Sequence, residues 1–110
     1  MYRLSVIVEE VFRKYLPVAQ KVGVTLDLDF PDPTKKIEKP SRVREPLEEH
    51  LSSAIRRTKN HVKVLVKKDG ITIFDDGSVL SPAVLSALNK PEHIEAKSRV
   101  GFGTSVFIKF

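Results

Sequence analysis

Apolar residues recur along this chain with two periods, and each change of period marks a new element. Ile7, Val11, Tyr15, Val18 and Val22 return every three or four residues, and Val8, Phe12 and Ala19 widen the stripe. That spacing predicts an amphipathic helix. Ser5 stands where a capping side chain is expected, with Glu9 and Glu10 near the positive end of the helix. Pro17 interrupts the stripe and should kink or split it. Gly23 is a C-terminal stop. Val24, Leu26, Leu28 and Phe30 then alternate with Thr25, Asp27 and Asp29, the period of a half-buried strand. Pro31-Asp32-Pro33 ends that strand. Thr34 to Lys39 reads as a polar connector, with Ile37 in a short edge strand.

A second helical stripe follows: Leu47, Leu51, Ala54, Ile55 and Thr58. Glu48, Glu49, Ser52, Arg56 and Arg57 fall largely on its other sides. Ser41 is a candidate cap, which would place Pro46 inside the helix at about 3 kcal/mol. Alternatively the helix starts at Pro46, where a first-position proline is tolerated. It should end near Lys59-Asn60. Val62, Val64 and Val66 next alternate with His61, Lys63, Leu65 and Lys67. Asp69-Gly70 separates them from Ile71 to Phe74, a strong hairpin signal. Asp75-Asp76-Gly77 closes the second strand. Ser81-Pro82 is a cap followed by a first helical residue, for a short helix to about Leu88. His93 to Arg99 and Thr104 to Phe110 read as two more strands, joined by Val100-Gly101-Phe102-Gly103.

The order is helix, strand, helix, hairpin, helix, hairpin. Every strand alternates, so one sheet face is covered and the other is open. The expected fold is α+β, a two-layer sandwich of a mainly antiparallel mixed sheet with its helices on one face. Lys63, Lys67 and Thr72 should lie on the open face.

Length fits a single domain spanning residues 1–110. The chain has no cysteine, which excludes disulfides and thiolate chemistry. No apolar run approaches the roughly 18 residues of a membrane span, and LSVIV is too short for a signal peptide. A soluble cytoplasmic protein with no membrane partner is expected. The net charge of +5 comes from 19 basic and 14 acidic residues. The basic residues are scattered and aromatics are few, so a nucleic-acid groove is not expected, whereas an acidic partner suits the surface. No histidines and carboxylates fall at metal-ligand spacing, and no metal site is expected.

These stretches resemble, in order, the ATP-binding catalytic domain of sensor histidine kinases, a fold shared with gyrase-type ATPases. LSVIVEEVFRKYLPVAQKVGVTLDLDFPDP resembles its opening helix and strand, and SRVREPLEEHLSSAIRRT its first nucleotide box. ITIFDDGS resembles the strand ending in an aspartate-any-glycine box, and SRVGFGTSVFIKF the closing glycine-rich box. The resemblance implies roles for named residues. Ser53 stands where the family has a magnesium-binding asparagine, and is a weaker ligand for a hard cation. Glu49 replaces the other box asparagine. Arg56 matches a phosphate-contacting lysine. Arg57 stands where an aromatic ring often lies on the adenine, and a guanidinium can stack there. As part of an ordinary helix, both arginines would lie on a solvated face. Asp75 matches the adenine-reading aspartate and Gly77 the first glycine of its box, while Val79 replaces the second glycine. Gly101, Gly103 and Thr104 match the closing box. His50 falls at a position usually apolar in the family and is read as packing.

The largest departure from the family is a deletion. Only 23 residues separate Gly77 from Gly101, where the family has a lid, a second glycine-rich box and a helix. Those parts supply the phosphates with backbone amides and helix dipole. Phosphoryl transfer depends mostly on such electrostatics. The expectation is therefore a degenerate domain with no catalytic residue and no required cofactor. It would act through a phosphoacceptor domain or response regulator in two-component signalling, as the related sporulation-type phosphotransferase domains act without ATP. The alternative is a module that keeps adenine recognition, binding ATP or ADP with magnesium where the ancestral site survives. Val79, Leu80 and Phe102 are the candidates to plug the adenine pocket.

Overall fold

The chain opens on a two-residue strand rather than a helix. In the computed structural model, which describes residues 2–30, 36–67, 69–77, 79–90 and 93–109, β1 (Tyr2–Arg3) pairs antiparallel with β3 (Lys36–Ile37). The expected edge strand at Ile37 thus has a partner that periodicity did not reveal. This ladder also sets where α1 (Leu4–Lys21) begins. Arg3 leaves β1 in an extended conformation and is itself the N-cap, with no side-chain cap bond. Leu4 is then drawn fully into the core as the first helical residue. Ser5 lies inside the helix and does not cap it, contrary to expectation. Pro17 is accommodated within a continuous α1 and does not split it. Past Pro17 the stripe turns off the core: Val18 and Val22 are exposed, while Ala19 is buried. Gly23 ends the helix at φ +76, the left-handed region where glycine is preferred.

α2 (Ser41–Arg57) follows the first alternative, with Pro46 inside the helix, except that the cap lies one residue earlier. Pro40 is the N-cap, Ser41 is the first helical residue, and Pro46 lies inside the helix. An interior proline costs about 3 kcal/mol. Burial of Val43 and Leu47 on either side offsets it, at about 1.5–3 kcal/mol for each such side chain. The stripe of Leu47, Leu51, Ala54 and Ile55 is buried, as the spacing predicts.

The sheet has the order β2-β4-β5-β7-β6. β2 (Thr25–Asp29) runs parallel to β4 (His61–Val66), and β4, β5 (Gly70–Asp75), β7 (Gly103–Lys109) and β6 (Ile94–Arg99) follow antiparallel. Val62, Val64, Val66, Ile71, Ile73, Val106 and Ile108 are buried in the layer between sheet and helices. Lys63, Lys67 and Thr72 lie on the other face with Phe74, none of them buried. The two-layer α+β sandwich with a mainly antiparallel sheet is therefore the observed fold. α3 (Pro82–Leu88) is capped as expected, the Ser81 hydroxyl accepting the Val84 N–H at 3.3 Å. It covers the β6 end of the sheet, and Leu85 and Leu88 pack against the core. Just past it the Asn89 side-chain amide acts as a partial strand. Its Oδ1 accepts the Ala96 N–H at 2.9 Å, and its Nδ2 donates to the Ala96 carbonyl at 3.3 Å. The expected strand end at Pro31-Asp32-Pro33, the Thr34-Lys35 start of the connector and the terminal Phe110 lie outside the described residues.

Candidate functional site

Five of the predicted residues, Arg57, Asp75, Gly77, Gly103 and Thr104, meet where β5 ends, beside the C-terminus of α2. Asp75, the last residue of β5, pairs in register with Thr104 of β7. Its side chain is fully buried. Thr104 is buried as well, and its hydroxyl lies 2.9 Å from that of Ser98 on β6. The Ser98 hydroxyl in turn accepts the Leu80 N–H at 2.9 Å. Sequence reasoning did not single out Ser98, because a serine within an alternating strand carries no signal by itself.

Asp75 has no idle oxygen. Its Oδ1 accepts the Gly77 N–H at 3.0 Å. Its Oδ2 accepts from Arg57 twice, from Nε at 3.0 Å and from Nη2 at 2.6 Å. Arg57 is accordingly no free helix-surface cation, and only 17% of its side chain is exposed. This corrects the reading of Arg57 as part of a solvated face. The cause is electrostatic: a carboxylate this buried needs a charge partner, and the last turn of α2 brings Arg57 to it.

The glycines of the two boxes are required by this arrangement. A Cβ at Gly77 would collide with the Arg57 carbonyl oxygen and would crowd Asp75 Oδ1 at 2.9 Å. Gly103 adopts φ +86, and a Cβ there would strike the Asp75 backbone. Gly101 also has a positive φ, +82, but its missing Cβ would point into open space. The hairpin tip therefore turns outward. Phe102 is 80% exposed and Val79 is 43% exposed, so neither fills the pocket as expected. Leu80 is half-buried and is held by its backbone bond to Ser98. The group that occupies Asp75 is Arg57.

Asp76, also not foreseen, fastens the same corner from outside. Its Oδ1 accepts the Thr58 hydroxyl and the backbone N–H groups of Lys59 at 3.0 Å, Asn60 at 3.1 Å and His61 at 3.3 Å. These bonds, the Thr58 hydroxyl first, hold its carboxyl far below the usual aspartate range. One carboxylate thus ties the turn after α2 to the end of β5.

The phosphate and magnesium positions look different. Ser53 and Arg56 lie one turn apart on α2, linked only by a long 3.4 Å bond from Arg56 Nη2 to the Ser53 hydroxyl. Arg56 and Glu49 are exposed. Among the described residues no cluster of three or more histidine and acidic side chains is placed to hold a metal ion. A magnesium ion at Ser53 would meet one neutral hydroxyl where oxygen ligands of higher charge density are normal, so these residues fit that ion poorly.

Among the described residues, no helix is long and apolar enough to cross a membrane. No protein-family model matches the sequence, and no curated protein matches it. Solved structures do. The catalytic domain of histidine kinase ThkA in a nucleotide-free form superposes with TM-score 0.76 at 13% identity, over 98% of this chain and 92% of that one. The cytoplasmic segment of histidine kinase QseC gives 0.74 at 14% identity, over 98% and 70%. The Acinetobacter baumannii histidine kinase AdeS gives 0.72 at 16% identity, over 98% and 65%. At these identities the likeness speaks for the fold, and the fold of this chain is that of the histidine kinase catalytic, ATP-binding domain.

Proposed function

We propose that this is a degenerate histidine kinase-type domain without kinase activity, which regulates two-component signalling by docking a phosphoacceptor domain or a response regulator. The observation that carries this reading is the Arg57–Asp75 pair. An adenine amino group needs a carboxylate oxygen free to accept it. Here Oδ2 is held by a bidentate guanidinium and Oδ1 by a backbone amide. Charge-assisted bonds of this kind are roughly twice as strong as neutral ones. A nucleotide would have to displace Arg57 and leave its cation unpaired. The phosphate side adds little to oppose that cost, since Ser53 and Arg56 offer one hydroxyl and one exposed guanidinium. The 23 residues between Gly77 and Gly101 have room for α3 but not for a lid and a second box.

Calorimetric titration with ATP and with ADP, each with and without magnesium, tests this. The expected result is no saturable heat at ~1 mM ligand, which limits any affinity to weaker than about −4 kcal/mol. Saturable, magnesium-dependent heat that disappears in Asp75→Asn would favour the alternative, a working nucleotide module built on Asp75, Gly77, Gly101, Gly103 and Thr104.

A further inference from the structure

A cleft of about 320 Å³ opens on the N-terminal half of α2, facing Lys90, His93 and Ile94. Arg42, Glu45 and Glu49 from the helix, with Lys90 and His93 opposite, form its exposed rim. Buried His50 and Ile108 form its floor. The cleft is distinct from the Asp75 corner: His50 and Arg57 are seven residues apart, about 10 Å along the helix axis.

Three features of this cleft are unusual together. First, His50 is 6% exposed, and its ring, which bonds to no described side chain, is not an orphaned buried group, so its nitrogens still reach solvent through the cleft. Burial lowers its pKa, so near neutral pH the ring presents one donor and one acceptor. Second, among the described residues none of the rim side chains is paired. Arg42 and Glu45 have the i,i+3 spacing of an intrahelical ion pair, and no such pair forms among the described residues. Third, Glu45 and Glu49 stand one turn apart on one face, where like charges repel. Among the described residues, two fixed positive and two fixed negative charges thus line one cavity without pairing with one another. The volume lies at the small end of ligand pockets, which run roughly 300–1,000 Å³.

We propose that this cleft binds a small zwitterion, an α-amino acid with an apolar side chain, its carboxylate facing Arg42 and Lys90 and its ammonium facing Glu45 and Glu49. The ammonium relieves the glutamate repulsion. The apolar side chain covers Ile108, and the polar backbone end gives the His50 ring a partner in place of solvent. A simple anion would meet the two glutamates, and a simple cation the arginine and lysine, so a ligand of one sign is disfavoured by complementarity.

L-Leucine is the probe, followed by calorimetry and by amide shift changes in nuclear magnetic resonance. Two truncated probes run beside it: 4-methylpentanoate, which lacks the ammonium, and 3-methylbutylamine, which lacks the carboxylate. The expected result is saturable leucine binding with shifts confined to α2 and the start of β6. Each truncated probe should bind at least about tenfold more weakly, a difference of about 1.4 kcal/mol. Arg42→Gln, a surface change that leaves the core intact, should weaken leucine to a similar degree, and His50→Leu should weaken it without loss of cooperative unfolding. The proposal is overturned by no leucine binding up to ~10 mM, by equal binding of all three probes, or by an unchanged affinity in Arg42→Gln.

Discussion

The two ends of the predicted nucleotide site have met different fates. At the adenine end, Asp75, Arg57, Gly77, Gly103 and Thr104 form a closed set in which every polar group is used. At the phosphate end, Ser53 and Arg56 share one long bond and otherwise face solvent. The adenine end joins α2, β5 and β7, so its residues hold the fold whether or not a ligand is present. The phosphate end lies on one helix face and joins nothing. A residue that serves only a ligand can be exchanged at no structural cost, whereas one that also packs or bonds cannot. Match to a family motif therefore reports structural duty here as much as binding.

Substitutions can test this contrast from either end. Arg57→Ala should have the largest effect. It strands a fully buried carboxylate, a change that costs about 3–5 kcal/mol when one partner of a buried pair is removed. Urea unfolding would measure it, and a loss below ~1 kcal/mol would mean that the pair is not structural. Gly103→Ala should follow, at about 2–3 kcal/mol, from overpacking against the Asp75 backbone combined with a positive φ. Gly101→Ala is its control: it carries the φ penalty of about 1–2 kcal/mol with no collision. Asp76→Ala should lower the melting temperature in a pH-dependent way. The native-state pKa of Asp76 is depressed, so its stabilisation is complete above the ordinary aspartate range, near pH 4, and is lost as pH falls towards the native-state value. Melting curves of the variant and the parent chain should therefore converge in strong acid. Ser53→Ala should have the smallest effect, within about 0.5 kcal/mol, as for ordinary surface positions.

His50 gives a pH test of opposite origin. Its ring resists protonation in the fold because of burial. The unfolded chain binds that proton near pH 6.5, so stability declines as pH falls through this value and levels off below the native pKa. In His50→Leu that part of the acid-side decline should be absent from denaturant titrations at stepped pH.

Much of the fold was legible because it rests on local periodicity. The Val62–Val66 alternation, the Ser81-Pro82 helix start and the Gly23 stop all specify themselves within a few residues. Asp69-Gly70 marks a hairpin, although Gly70 is itself the first residue of β5 and has no positive φ. The misreadings occurred where distant partners decide. Ser5 has the chemistry of a cap, but the β1–β3 ladder sets the helix start two residues earlier. Val18 and Val22 fit the stripe by count, and the turn past Pro17 takes them off the core. Pro46 is tolerated by burial around it that composition cannot show. At the site, Asp75 could be located by resemblance, but its state could not. Arg57 reads as a surface residue in a string of polar ones, and only the meeting of α2 with β5, 18 residues apart, makes it a partner. Asp76 likewise looks like a plain turn residue until the amides of Lys59, Asn60 and His61 are seen around it.

The Asn89 amide bears on how the chain behaves in a crowd. β6 lies at the edge of the sheet, and an unpaired edge is a template for a second copy. Here the Ala96 amide and carbonyl are taken by one side chain, and the Lys90 backbone takes those of Ile94. A neighbouring molecule arriving strand-first finds those groups already satisfied. A slow chemical change of that amide to a carboxylate would remove its donor and leave two carbonyls, those of Leu85 and Ala96, without it. On the edge itself that frees only the Ala96 carbonyl, so a single nitrogen decides whether this stretch offers an arriving strand an unmet acceptor.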